Sequence, residues 1–138
     1  MLNLSIDSIK DKEKWKEKGI ETPDFDYSEI KANTEENPEW VHFGAGNIFR
    51  AFIANLQQNL LNQGKADTGI VAVETYDFET IDKVYDPNDN LNLLVTMHPD
   101  GELEKKVIGS IADSLIGDPS RKEDWEKLKN IFTQESLK

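Results

Sequence analysis

Two glycines one residue apart, Gly44 and Gly46, follow the apolar run Trp40-Val41-His42-Phe43 and stand just ahead of Asn47 and Arg50. A glycine directly after a strand permits a sharp turn into a helix. A second glycine lets a pyrophosphate approach the backbone without meeting a Cβ. The helix behind such a turn offers unpaired N–H groups and the positive end of its dipole. Ala45 lies inside the turn. Asn47 can cap the helix, and Arg50, one turn in, can pair with a phosphate or brace the turn. The third glycine of the usual G-x-G-x-x-G pattern is replaced by Phe49, so looser helix–strand packing is expected there. Glu74 ends the next apolar run, Gly69 to Val73. Its carboxylate can accept hydrogen bonds from ribose hydroxyls and would repel a 2′-phosphate, which favours NAD over NADP. Thr75 and Tyr76 beyond it can wall an adenine. The expected cofactor-binding set is Gly44, Ala45, Gly46, Asn47, Arg50 and Glu74. The same residues also fit a purely structural turn, with Glu74 a polar strand end and Arg50 a surface ion-pair partner.

Other chemistries find little support. There are no cysteines, hence no disulfide framework, thiolate metal site or cysteine nucleophile. His42 reads as a packed strand residue and His98 as an exposed turn residue. Two isolated histidines without clustered carboxylates do not make a metal site. Asp86, Asp89 and Asp100 lack the spacing of a calcium loop and its terminal glutamate. No residue is assigned a catalytic role.

The elements that would position these residues are legible as patterns. Asn47 to Gln63 reads as a helix ended by Gly64. Within it Ile48, Phe52, Leu56 and Leu60 recur at spacing four, and Ile53 and Leu61 widen the stripe, the pattern of a core-facing helix. Gly69 to Glu74 is β-branched and reads as a buried strand. Strand, glycine turn, helix and strand make a βαβ unit with parallel strands. Asp77 can cap a third helix, Phe78 to about Tyr85, closed by Pro87. Leu91–His98 and Glu102–Ile108 flank Pro99-Asp100-Gly101 and read as a β-hairpin. Ile111–Ile116 is a further apolar strand or loop. Ser120 and Glu123 have capping-box spacing for a last helix, with Trp125, Leu128, Ile131 and Phe132 as its buried face. Ahead of all this, Ser8–Lys18 reads as a short helix stopped by Gly19, and Asp26 can cap a second, Tyr27–Glu36.

The fold class expected is α/β, a partial Rossmann-like doubly wound sheet carrying a β-hairpin and a short helical N-terminal extension. The organisation expected is an extension over 1–39 and an NAD-binding Rossmann-like domain over 40–138, which the resemblance described below implies is truncated. The 138 residues carry 27 acidic and 16 basic side chains, a net charge of −11. That balance argues against nucleic acid and against an anionic membrane surface. No apolar run approaches the roughly 20 residues that span a bilayer, and the N-terminus lacks the layout of a secretory signal. A cytoplasmic protein is expected.

The wording WVHFGAGNIFR, at Trp40–Arg50, resembles the N-terminal signature of the mannitol dehydrogenase family, the polyol-specific long-chain dehydrogenases. The hallmark G-x-G-N-x-x-R is matched by Gly44, Gly46, Asn47 and Arg50. The similarity continues through TGIVAVE and MHPDGELEKKVIGSI and covers about residues 40–132. The wording is more like the hexuronate-linked oxidoreductases of the family, the D-mannonate/D-fructuronate type, than like its mannitol branch. The resemblance implies NAD-dependent, metal-independent interconversion of a secondary alcohol and a ketone on a sugar acid or polyol. It also implies a lysine base, helped by asparagine and histidine, in a later part of a longer chain; no residue here matches those motifs. The 138 residues are therefore expected to be the first part of a cofactor domain, inactive alone, with Trp40–Phe43 left as an open sheet edge through which the chain self-associates. The alternative is a non-catalytic α/β interaction module whose glycine turn is only structural.

Overall fold

The computed structural model describes all 138 residues. Its centre is a three-stranded parallel sheet in the order β2–β3–β6, built from β2 (Val41–Phe43), β3 (Ile70–Glu74) and β6 (Ile111–Ile116). The segment Ile-Val-Ala-Val of β3 is buried from Ile70 to Val73 because layers cover both faces of the sheet. Alternation divides these side chains. Ile70 and Ala72 join the core formed with Phe49, Ala54, Ile81 and Tyr85, while Val71 and Val73 join Leu115, Leu128 and Ile131. The sheet thus carries its crossover helices on one face and α5 (Lys122–Ile131) on the other. This is the layering of half a doubly wound fold.

The crossover from β2 to β3 runs through a π-helical stretch, Phe49–Ile53, into α3 (Ala54–Asn62). Gly64, at φ +66, follows the end of α3. Phe49 does not loosen the packing: it is 4% exposed. The helix widens instead, and the Ala54 N–H donates to the Phe49 carbonyl five residues back. Small side chains, Ala45, Ala54 and Ala72, share its core and leave room for the ring.

The apolar stripe expected to face the core points outward. Ile48 is 82% exposed and Phe52 61%, and Leu56 and Leu60 are exposed as well. The inner face is made by Phe49, Ala54, Gln57, Gln58 and Leu61. The reason lies in the backbone beneath it. The link from the hairpin to β6 leaves polar groups that need partners. The Gln58 side chain donates to the Val107 carbonyl (2.6 Å) and accepts from the Gly109 N–H (2.7 Å). Gln57 donates to the Thr68 carbonyl, and the Ser110 hydroxyl donates to the Ala54 carbonyl.

After β3 the chain forms α4 (Phe78–Thr80), a π-turn Ile81–Tyr85 and a 3₁₀ turn Asp86–Asn88. It then enters the antiparallel hairpin β4 (Asn92–Met97) and β5 (Leu103–Ile108), with Gly101 at φ +87 in the turn. His98 at that turn is half-buried and bonded to Glu104 at 3.3 Å. The segment Ile111–Ile116 is a strand, parallel to β3.

Ser8–Lys18 is broken at Asp11 into a 3₁₀ turn and α1 (Lys12–Glu17). The two-residue strand β1 (Ile20–Glu21) adds in parallel to β5. Asp26 caps α2 (Tyr27–Glu36), accepting from the Ser28 and Glu29 N–H groups. Ile9, Trp15 and Tyr27 pack on Leu91 and Val107 of the hairpin region. The capping box at α5 does not form: the Ser120 N–H bonds Asp118, and the residue preceding the helix is Arg121, which makes no side-chain cap. Of the expected inner face of α5, Leu128 and Ile131 are buried, Trp125 is half-buried, and Phe132 is 55% exposed beside Phe43.

Candidate cofactor site

The glycine turn lies at the C-terminal end of β2, where a doubly wound sheet places its ligands. Gly44 has φ +102, a backbone conformation that side chains resist, and its N–H donates to the Val73 carbonyl at 2.7 Å. The Gly44 carbonyl accepts from Nδ1 of His42 at 3.0 Å, which fixes the proton on that nitrogen. Ala45 is fully buried. Its N–H donates to Oε2 of Glu74 (3.2 Å), and its carbonyl accepts from the Tyr85 hydroxyl (2.8 Å). Gly46 is exposed, and a Cβ built on it meets nothing within 4 Å. Its carbonyl accepts the Arg50 N–H, so the helix opens directly behind it.

Glu74 closes the other side. Oε1 accepts N–H groups of Thr75 (2.9 Å), Tyr76 (3.0 Å) and Asp77 (3.4 Å), while Oε2 ties back to Ala45. Burial pushes this carboxyl up, but the four N–H groups outweigh it and hold it below the usual carboxylate range. The carboxylate therefore welds the glycine turn to the end of β3, and Oε2 retains an acceptor direction for a further donor. Tyr76 beyond it is 93% exposed. A surface depression of about 460 Å³, lined by Phe43, Thr75, Gly117, Trp125 and Phe132 among others, adjoins these strand ends.

Arg50 braces the turn. Its guanidinium donates to the Asn47 side-chain oxygen and lies 5.6 Å from the centre of the Tyr85 ring. Asn47 is thus engaged with Arg50. Burial pushes the Tyr85 hydroxyl strongly up, Arg50 opposing and Glu74 adding, so it stays a donor at neutral pH. The structure brings all six expected residues to one end of the sheet. It adds two that sequence reading missed as partners of the turn, His42 and Tyr85. His42 is half-buried and its ring stacks on Phe49 at 4.2 Å. No group of three or more His, Asp or Glu side chains is placed to hold a metal ion. No helix is long and apolar enough to cross a membrane.

No family model matches the chain. Among curated proteins, the D-mannonate oxidoreductase of Thermotoga maritima is 52% identical over 136 residues, covering 99% of this chain and 25% of its own length. The chain spans about a quarter of the length of that relative. Two solved structures are similar in fold. Pseudomonas fluorescens mannitol 2-dehydrogenase, in a ternary complex with NAD and D-mannitol, superposes with a TM-score of 0.70 over 87% of this chain and 23% of its own, at 20% identity. A D-sorbitol dehydrogenase in substrate-free form gives a TM-score of 0.60 over 74% and 21%, at 30% identity. The family resemblance carried by WVHFGAGNIFR and the partial Rossmann-like architecture are both borne out.

Proposed function

We propose that this chain is the cofactor-binding N-terminal part of an NAD-dependent oxidoreductase that interconverts a sugar-acid or polyol alcohol and its ketone, of the D-mannonate/D-fructuronate type. The observation that carries the cofactor reading is the glycine turn itself. Its Gly46 backbone is open where a side chain would stand, and a helix begins behind it. Gly44, Ala45 and Gly46 form the turn over which the pyrophosphate lies, Gly44 and Ala45 as its frame with their own N–H groups spent on Val73 and Glu74. Asn47, Arg50 and the N–H groups of the first helical turn hold the pyrophosphate, and Glu74 the adenosine ribose. Bound NAD supplies hydride transfer at its nicotinamide ring; the residues of this chain bind and orient it. The carboxylate of Glu74 disfavours a 2′-phosphate. Thr75 and Tyr76 flank the adenine.

The sugar-acid reading is supported by the 52% identity to a D-mannonate oxidoreductase, against 20% to a mannitol 2-dehydrogenase. Catalytic groups and the substrate pocket belong to the rest of a longer enzyme, so these 138 residues bind cofactor without turnover. The boundary between extension and cofactor domain is placed at residue 39/40. The acidic, cysteine-free composition supports a cytoplasmic setting. The test of turnover is direct: NAD reduction with D-mannonate stays at background with this chain, and measurable turnover would overturn the assignment.

A second reading, an α/β interaction module, is favoured by one observation, the exposed stripe of Ile48, Phe52, Leu56 and Leu60. Gly46→Ala separates the two: a cofactor site loses NAD binding with the fold intact, whereas a structural turn loses stability and binds no ligand in either form.

A further inference from the structure

A phosphate-binding turn must do two things. It must present N–H donors to the anion, and it must turn its own carbonyl oxygens away, because an oxygen facing a phosphate repels it. The first requirement is met by any helix start. The second has to be enforced, since each carbonyl of the turn is a strong acceptor that will take any donor within reach.

In this molecule every carbonyl of the turn is occupied from behind. The Gly46 oxygen takes the Arg50 N–H in the first helical turn. The Gly44 oxygen takes Nδ1–H of His42 at 3.0 Å, and the Ala45 oxygen takes the Tyr85 hydroxyl at 2.8 Å. The two side-chain donors come from different elements, His42 from β2 and Tyr85 from the π-turn after α4. Each is itself fixed. The His42 ring stacks on Phe49 at 4.2 Å. Tyr85 is fully buried, and the Arg50 guanidinium lies 5.6 Å from its ring centre. The N–H groups of the first helical turn have no partner within the helix and remain for a ligand.

We propose that His42 and Tyr85 are positioning residues for the pyrophosphate of the cofactor: they hold the Gly44 and Ala45 carbonyls inward so that the turn shows the phosphates donors only. The inference rests on the cofactor reading above and assigns to the site two residues that lie outside the G-x-G-N-x-x-R pattern. Neither residue touches the ligand; both act through the turn.

The experiment uses four forms of the 138-residue chain: native, Tyr85→Phe, His42→Leu and His42→Asn. Asn keeps an N–H donor near the place of Nδ1, and Phe keeps the ring beneath Arg50. NAD and adenosine are titrated by calorimetry at a temperature where circular dichroism shows each form folded. NAD affinity falls about tenfold in Tyr85→Phe and in His42→Leu, the effect of one hydrogen bond, and recovers in His42→Asn. Adenosine, which lacks the pyrophosphate, binds all four alike. Equal NAD affinity in folded variants overturns the proposal and leaves the cofactor reading intact, as does an equal loss for adenosine. A native chain that binds no NAD removes the cofactor reading and this proposal together. If Tyr85→Phe does not fold, the two His42 variants decide alone.

Discussion

At the residue scale, the two glycines of the turn serve different needs. Gly44 sits at φ +102, so Gly44→Ala strains the backbone and costs about 1–2 kcal/mol of stability, measurable by urea denaturation. Gly46 is not in that region, and a Cβ there meets open space. Gly46→Ala is therefore expected to leave the melting temperature at or slightly above that of the native chain while abolishing NAD binding. A destabilised Gly46→Ala, with no ligand in either form, would favour the interaction module instead. Glu74 has a dual role that its position in the sequence only half discloses. Its carboxyl is held below its ordinary value of 4.5 by the N–H groups around it. A depressed acid contributes stability that is present above its unfolded value and is lost as pH falls through the folded one. The turn is thus expected to stay closed at neutral pH and to loosen only below pH 4.5, with faster amide exchange at Ala45 and Tyr76 read by NMR. Gly44, Gly46 and Glu74 were legible because glycine chemistry and strand ends are local. His42 was legible as a strand residue but not as a hydrogen-bond partner. Tyr85 was legible only as a helix end, because its bond to Ala45 spans 40 residues of chain.

At the element scale, the helix after the glycine turn is the instructive case. Periodicity places a helix there and places it correctly, but its most apolar face lies outward. Hydrophobic spacing reports which residues share a side, not which side meets the sheet. Here buried glutamines satisfy the backbone of the hairpin-to-β6 link, and that requirement is nonlocal. The stability of this region should follow hydrogen bonding more than hydropathy. Gln58→Leu leaves the Gly109 N–H and Val107 carbonyl without partners in a buried setting and should cost about 2–3 kcal/mol in urea unfolding. Phe52→Ser, on the exposed stripe, should change stability by less than about 0.5 kcal/mol. Reversal of that order would show that the stripe, and not the glutamine face, meets the core. The missed capping box has the same origin: Ser120 and Glu123 have the right spacing, but the Ser120 N–H is already taken by Asp118.

At the scale of the whole molecule, the sheet order β2–β3–β6 leaves β2 as an edge in the place where a doubly wound sheet has its centre. The Trp40 carbonyl and Gly44 N–H bond β3, so the alternation of a parallel ladder turns the backbone of Val41 and Phe43 to the open side. The Lys138 N–H meets the Glu39 carbonyl near the start of that edge. The outward stripe on the crossover helix adds a second uncovered apolar surface. Together they support self-association: sedimentation velocity should show oligomers at high concentration, reduced by Phe52→Glu, and a monomer throughout would refute it. The parallel unit, the hairpin and the two N-terminal helices were all readable in order along the chain. The third strand of the main sheet remained undecided between strand and loop until its pairing with β3 was seen, since pairing is a property of the assembled sheet.

The most direct measurement is calorimetric titration of NAD and NADP into this 138-residue chain. NAD binding, with NADP at least about tenfold weaker because its 2′-phosphate meets the Glu74 carboxylate, is the expected result. A folded chain that binds neither dinucleotide, or one that prefers NADP, would contradict the assignment of the glycine turn and Glu74 as an NAD site.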